Sequence, residues 1–154
     1  MKNEFVIGVD VGTGSVRAGV FDITGKMFGY GDSPIEIWYP CSNFAEQSSE
    51  DIWRGVCRAV RVTMQQAGIK KQSIIGISFD ATCSLVVLDR NNLPVTVSPT
   101  NKNEQNIIVW MDHRAKEETN FINDTHHKVL KYVGGKLSPE QQPAKLLWLK
   151  NSRA

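Results

Sequence analysis

At 154 residues the chain can bury a real core, and its length corresponds to about one domain. The net charge of +2 is too small to imply a nucleic-acid or membrane-surface partner, and no basic run is longer than Lys70-Lys71. No apolar stretch approaches the length of a membrane span, and Met1-Lys2-Asn3-Glu4 enters the first apolar segment without a signal-peptide core.

Phe5 to Val9 is apolar and rich in β-branched residues, as a buried strand should be. Asp10 stands at its end, followed by a turn through Gly12, Thr13, Gly14 and Ser15. A second strand continues through Val16, Arg17, Ala18, Val20 and Phe21. Gly25 marks the next turn, and Lys26 to Gly31 is expected to return as a third strand, completing an antiparallel meander. Pro34 to Phe44 reads as irregular, with Ile35 and Ile37 able to extend an edge strand.

The first strong helix begins at Ser48, a candidate N-cap, with Glu50 and Asp51 in the first turn. Ile52, Trp53, Val56, Cys57, Val60, Met64 and Ala67 keep helical spacing and form one apolar face, with Gly68 as the stop. Ser73 to Phe79 reads as another buried strand, ending in Asp80-Ala81-Thr82-Cys83-Ser84. Leu85 to Asp89 is expected as a strand, and residues 98–106 as a loop. Ile107 to Trp110 is expected as a short strand, followed by a helix from His113 to about Thr125 that Asp112 is placed to cap. His126 to Tyr132 reads as a further helix closed by Gly134-Gly135. Ser138-Pro139-Glu140-Gln141 is a helix-start signal, with Pro143 restarting the helix that carries Leu146, Leu147, Trp148 and Leu149. Asn151-Ser152-Arg153-Ala154 falls inside that helix or just after it.

Unusual polar residues gather at three strand ends: Asp10 with its glycine turn, Asp80 to Ser84, and Trp110 to Arg114. Ligands in open α/β sheets collect beyond the carboxyl ends of strands. If the three strands run parallel in the sheet centre, these segments meet at one cleft. Gly12 and Gly14 permit positive φ and close approach of a ligand to the backbone. With Thr13, Ser15 and Arg17 they suit a phosphate, and Asp10 suits the accompanying magnesium. An ordinary hairpin is the plain alternative. Trp110 offers a flat apolar wall, and Asp112 and Arg114 offer hydrogen bonds to hydroxyls or a carbonyl oxygen, the mixture a sugar needs. Helix capping by Asp112 and a solvated Arg114 are the structural alternatives, and Asp80 is equally placed to orient its turn. His113 reads as a surface or supporting residue, and His126 and His127 as exposed helix residues without metal-ligand partners. The cysteines, Cys41, Cys57 and Cys83, fit neither a disulfide framework nor a CxxC metal site, so a reduced cytoplasmic setting is expected, with Cys57 in the core.

The first loop resembles the phosphate loop of the actin-like ATPase superfamily, which includes sugar kinases, chaperones and actin. Four segments together are more specific: Asp10-Val-Gly-Thr-Gly-Ser-Val-Arg17, Phe79-Asp-Ala-Thr-Cys-Ser84, Val109-Trp-Met-Asp-His-Arg-Ala115 and Pro143-Ala-Lys-Leu-Leu-Trp-Leu149. This set resembles the N-terminal part of an FGGY-family carbohydrate kinase, and the second and third segments resemble the ribulokinase-like branch that phosphorylates pentuloses.

The resemblance implies an α/β, ribonuclease H-like domain whose mixed sheet starts with the meander and carries helices on both faces. Residues 1–154 would be a partial sugar-binding domain, with the C-terminal nucleotide-binding domain and the catalytic aspartate outside this chain. No catalytic residue is then expected within it, and the chain alone is expected not to turn over sugar. The implied cofactors are ATP and Mg2+, with Asp10 near the magnesium and Gly12, Thr13, Gly14, Ser15 and Arg17 near the transferred phosphoryl group. Asp80, Ala81, Thr82, Trp110, Asp112 and Arg114 are the implied substrate-side residues. Ala81 and Thr82 stand where glycerol kinases carry arginine and glutamate, which argues against glycerol. The partner is a small sugar, with no nucleic acid or membrane, and a homodimer is compatible. The competing readings are a noncatalytic actin- or chaperone-like nucleotide module with a protein partner, and a domain that folds only with a missing half, exposing the apolar face of the 143–150 helix.

Overall fold

The structure, a computed structural model, describes residues 4–152. Met1 to Asn3 and Arg153-Ala154, where the chain's entry and exit were anticipated, lie outside the described residues. The strands are β1 (Phe5–Val11), β2 (Ser15–Asp22), β3 (Met27–Pro34), β4 (Glu46–Gln47), β5 (Ile74–Ala81), β6 (Leu85–Val86) and β7 (Ile107–Ile108). The helices are α1 (Ser49–Ala67), α2 (Lys116–Asp124) and α3 (Gln142–Ser152), with short 3-10 turns at Lys71–Ser73 and Lys128–Val133. Two compact units divide these elements, one from residues 4–37 and 48–82, the other from 38–47 and 83–152.

The first unit is a four-stranded sheet in the order β3-β2-β1-β5. β1, β2 and β3 form the antiparallel meander, and β5 returns parallel to β1 after α1. Alternation along the strands sends Phe5, Ile7, Val9, Val16, Ala18 and Val20 to one face, where they bury against Val56 and Ala59 of α1. Asp51 N–H donates to the Ser48 side chain (3.2 Å), and Gly68 closes the helix at φ +64°, so both helix ends are formed by local sequence.

The buried stripe of α1 is centred on Gly55, Val56, Ala59 and Thr63. Trp53, expected on the apolar face, is instead 58% exposed, and Cys57 is only half-buried. The helix lies so close to β3 that a Cβ at Gly31 would sit 2.5 Å from the Ala59 carbonyl oxygen. Small residues on β3 therefore set the helix–sheet distance and turn the stripe away from Trp53.

β5 departs from the expected buried strand. It pairs only with β1 and forms the sheet edge, leaving Ile75, Ile77 and Phe79 about half exposed. Its apolar composition is that of an interior strand, but α1 packs mainly over β2 and β3. Within this unit α1 covers one face of the sheet.

In the second unit β4, β7 and β6 form a small antiparallel sheet with β7 in the middle. The expected parallel placement of the Ile107 strand beside the other two strands is therefore not met. Both edges of β7 are already occupied, by β4 through Glu46↔Ile108 and by β6 through Leu85↔Ile108. Local backbone bonds around this sheet, such as Val87 N–H to Asn106 O and Val97 N–H to Gln105 O, fold residues 87–106 onto it.

α2 starts at Lys116, after Ala115, and has no side-chain cap. The expected helix at His126 to Tyr132 is the 3-10 turn, closed by Gly134 at φ +82°. Ser138 to Gln141 is a turn preceding α3, and Pro143 falls in the first turn of that helix, where its missing N–H leaves no gap in the ladder. A small apolar cluster of Ala115, Leu130, Leu137 and Ala144 joins these elements.

Candidate functional site

In the first unit the loop between β1 and β2 is a tight turn closed by Gly12 N–H donating to Ser15 O (3.0 Å). Neither Gly12 nor Gly14 has positive φ, so the glycines serve the loop differently from expectation. A Cβ on Gly12 would lie 2.8 Å from Arg17 Nη2, and one on Gly14 would meet nothing within 4 Å. Gly12 makes room for the arginine, and Gly14 faces open space. Thr13 and Ser15 lie in this turn at the open end of the sheet.

Strand register then sets a row of charges across the sheet. Arg17 is opposite Asp10 on one side and Asp32 on the other, and Asp10 is level with Asp80 on β5. Residues at matched register share a face, so Asp32, Arg17, Asp10 and Asp80 line up beside the glycine turn. Arg17 Nη2 lies 3.3 Å from Asp10 Oδ2, and both side chains are about half exposed. Asp32 was absent from the sequence-based candidates. Its signal, one polar residue in an alternating strand, becomes informative only once the β2–β3 register is known. The row borders a shallow depression of about 380 Å3 whose floor includes Gly8, Gly19, Phe21 and Tyr30.

An exposed carboxylate beside a guanidinium, under open space at a glycine turn, suits a phosphate accompanied by a hard divalent cation. No group of three or more metal-ligating side chains exists among the described residues. Asp10 is the carboxylate that would face such a cation, directly or through water. The carboxylate of Asp80 accepts from Ala81 N–H (3.0 Å), the turn-orienting role that stood as its alternative, while Thr82 N–H donates to Val11 O (3.2 Å).

In the second unit Trp110 follows β7, and its N–H donates to Ser84 Oγ (3.2 Å). Cys83, Trp110, Val133, Leu137, Glu140 and Pro143 line a largely apolar cleft of about 410 Å3. His113 is partly exposed, with its Nε2 3.2 Å from Glu140 Oε1.

Asp112 and Arg114 require a correction as substrate contacts, because both side chains are fully buried. Asp112 Oδ2 accepts from Ala45 N–H (2.6 Å) and Arg114 Nη2 (2.8 Å), and its Oδ1 accepts from the Arg114 backbone N–H (2.9 Å). Nor does Asp112 cap α2, which starts four residues later. Arg114 also donates to Glu46 Oε1 (2.8 Å) and Val97 O (2.7 Å). Its guanidinium carbon lies over the rings of both Phe44 and Trp148, 4.0 and 4.9 Å from their centroids. A planar fork with five N–H donors can bridge two carboxylates and a carbonyl at once, and this fixes it inside the unit.

Lys145 is a further interior charge that sequence reading left without a role. It is fully buried, and its Nζ donates to Val109 O (2.8 Å) and Trp110 O (3.0 Å). Burial pushes its pKa down, partly offset by the nearby Asp112 carboxylate.

Comparison with known proteins gives the family and the fold. Residues 5–154 match the family model described as the FGGY family of carbohydrate kinases, N-terminal domain. A human FGGY carbohydrate kinase domain-containing protein is 49% identical over 96% of this chain, and a D-ribulokinase of Saccharomyces cerevisiae is 48% identical over 97%. The chain spans 26% and 21% of those relatives, respectively. A ligand-bound xylulose kinase from Lactobacillus acidophilus superposes with a TM-score of 0.80 at 25% identity, covering 96% of this chain and 28% of that one. The fold is thus that of the actin-like ATPases found in sugar kinases, and the chain belongs to the FGGY family of carbohydrate kinases, to whose N-terminal domain it corresponds.

Proposed function

We propose that the intact protein transfers the γ-phosphoryl group of ATP to a hydroxyl of a small sugar, a pentulose such as ribulose. The observation that carries this reading is the 48% identity with the yeast D-ribulokinase across nearly the whole of this chain. We assign this chain to the sugar-binding side of the enzyme, with the nucleotide-binding domain and catalytic base in the remaining length typical of its relatives.

Asp10 and Arg17 form the phosphoryl-side group in this reading. Arg17 stabilises negative charge on the transferred group, and Asp10 holds the metal indirectly. Gly12, Thr13, Gly14 and Ser15 shape the approach, and the open space at Gly14 admits a ligand to the backbone. The Mg2+ of MgATP, when bound, neutralises phosphate charge, and the rest of such catalysis is positioning. Trp110 packs on the carbon face of the sugar. Ala81 and Thr82, at the end of β5, are further substrate-side residues in this reading. Asp80 orients that turn. The three free cysteines fit the reducing cytoplasm proposed as the compartment.

An ATP-coupled assay of the intact gene product against ketoses and polyols tests the reading. Ribulose should give the highest kcat/KM, and failure to phosphorylate any sugar overturns it. Asp10→Asn in that enzyme should lower kcat by about 10²-fold with little change in sugar KM. The 154-residue chain alone should show no turnover.

A further inference from the structure

Lysine normally buries its stem and leaves its ammonium in water. Lys145 does not: its whole side chain is buried. One account is charge balance, since Lys145 and Arg114 match Glu46 and Asp112 in the same interior. Charge balance does not explain direction, because both hydrogen bonds of Lys145 go to backbone carbonyls, those of Val109 and Trp110. One turn earlier on the same helix, Gln142 Nε2 donates to Cys83 O (2.5 Å). The two segments held in this way are themselves joined by the Trp110 N–H to Ser84 Oγ bond. Val109 O also accepts Asp112 N–H (3.0 Å), so the ammonium sits on the turn that leads out of β7.

We propose that the first turns of α3 act as a clamp, in which Gln142 and Lys145 are positioning residues that fix the backbone at Cys83–Ser84 and Val109–Trp110 and so aim the Trp110 ring into the cleft it lines. The role in catalysis rests on the reading that Trp110 packs against the sugar. The clamp itself rests only on the bonds described. Lys145 is fully buried and does not line that cleft, whereas Gln142 does; each acts on Trp110 through the backbone it holds. A buried ammonium is suited to this work because it delivers two charge-assisted bonds to adjacent carbonyls from one atom.

Two readouts separate the clamp from the kinase reading. In the 154-residue chain, amide hydrogen exchange followed by NMR compares Lys145→Met and Gln142→Leu with the unaltered protein. Lys145→Met should speed exchange at Trp110 and Asp112 by about tenfold while α1 amides stay within about twofold. In the intact enzyme the same substitution should raise sugar KM about tenfold and leave ATP KM nearly unchanged, with Lys145→Arg recovering part of the loss. Native exchange rates at 109–112 in Lys145→Met overturn the clamp, as does an enzyme that loses kcat with sugar KM unaltered. If the unaltered intact enzyme phosphorylates no sugar, the kinase reading fails and the exchange experiment still decides the clamp. Should Lys145→Met not fold, Gln142→Leu carries the same test, with faster exchange expected at Ser84 and Leu85 and unchanged rates there overturning the proposal.

Discussion

The two units build their interiors from different materials. The first buries apolar side chains from β1, β2 and α1, with Ile35 just beyond β3, and among its described residues no charged side chain is buried. The second has strands only two residues long and places Glu46, Asp112, Arg114 and Lys145 inside. Apolar burial is nondirectional and tolerates small errors of orientation. A hydrogen-bonded charge network does not, and breaking it leaves an unmatched charge in a low-dielectric interior. The first unit is therefore suited to hold a loop at the end of a long, regular sheet. The second fixes a turn that has little regular structure to support it.

Removing the central cation of the second unit tests this contrast most severely. Arg114→Leu keeps bulk but strands two buried carboxylates, and a loss of about 3–5 kcal/mol is expected. Urea unfolding monitored at residues of both units should show the loss concentrated in the second. A change below about 1 kcal/mol would mean that the network is dispensable and the contrast wrong.

The corresponding weak point of the first unit is steric. Gly31→Val improves strand propensity, yet its Cβ would press on the Ala59 carbonyl oxygen, so destabilisation of about 1–3 kcal/mol is expected. Thermal unfolding decides the sign, because stabilisation would show that helix α1 can move away. Ser48→Ala tests a local contribution within the same unit. Loss of its bond to Asp51 N–H should cost about 1 kcal/mol, read as a lower denaturation midpoint.

The smallest effect is electrostatic and lies in the exposed turn after β2. Thr24 Oγ1 donates to Asp22 Oδ1 (2.6 Å), and this bond, joined by the Lys26 and Thr24 amides, holds the Asp22 carboxyl below its ordinary value of 3.8. A depressed carboxyl stabilises the fold above its unfolded pKa, and that contribution disappears as pH falls through the folded value. Carbon-13 titration of the carboxyl should show a midpoint under 3.8, and Thr24→Val should move it back up. An unmoved midpoint would remove the hydrogen bond as the cause.

Much of the first unit was legible in the sequence because its signals are local. The β-branched runs, Gly25, Ser48 and Gly68 each act on neighbouring residues, and the meander and α1 followed from them. Trp53 and Cys57 were misplaced because helical spacing gives a face but not its centre, which Gly29 and Gly31 on another element set. β5 looked like an interior strand because its side chains are apolar, but only pairing decides whether a strand has a neighbour on both sides.

The candidate site divides in the same way. Sequence alone determined which side chains stand at the glycine turn and just after β7, Asp10, Arg17 and Trp110 among them, since residue type and close spacing carry that information. Tertiary structure alone decided that Asp32 and Asp80 extend the charged row, that Asp112 and Arg114 face inward, and that Lys145 holds the turn bearing Trp110. Each of these depends on strand register or on contacts between residues distant in the chain, and neither spacing nor composition encodes which carbonyl a buried ammonium will meet.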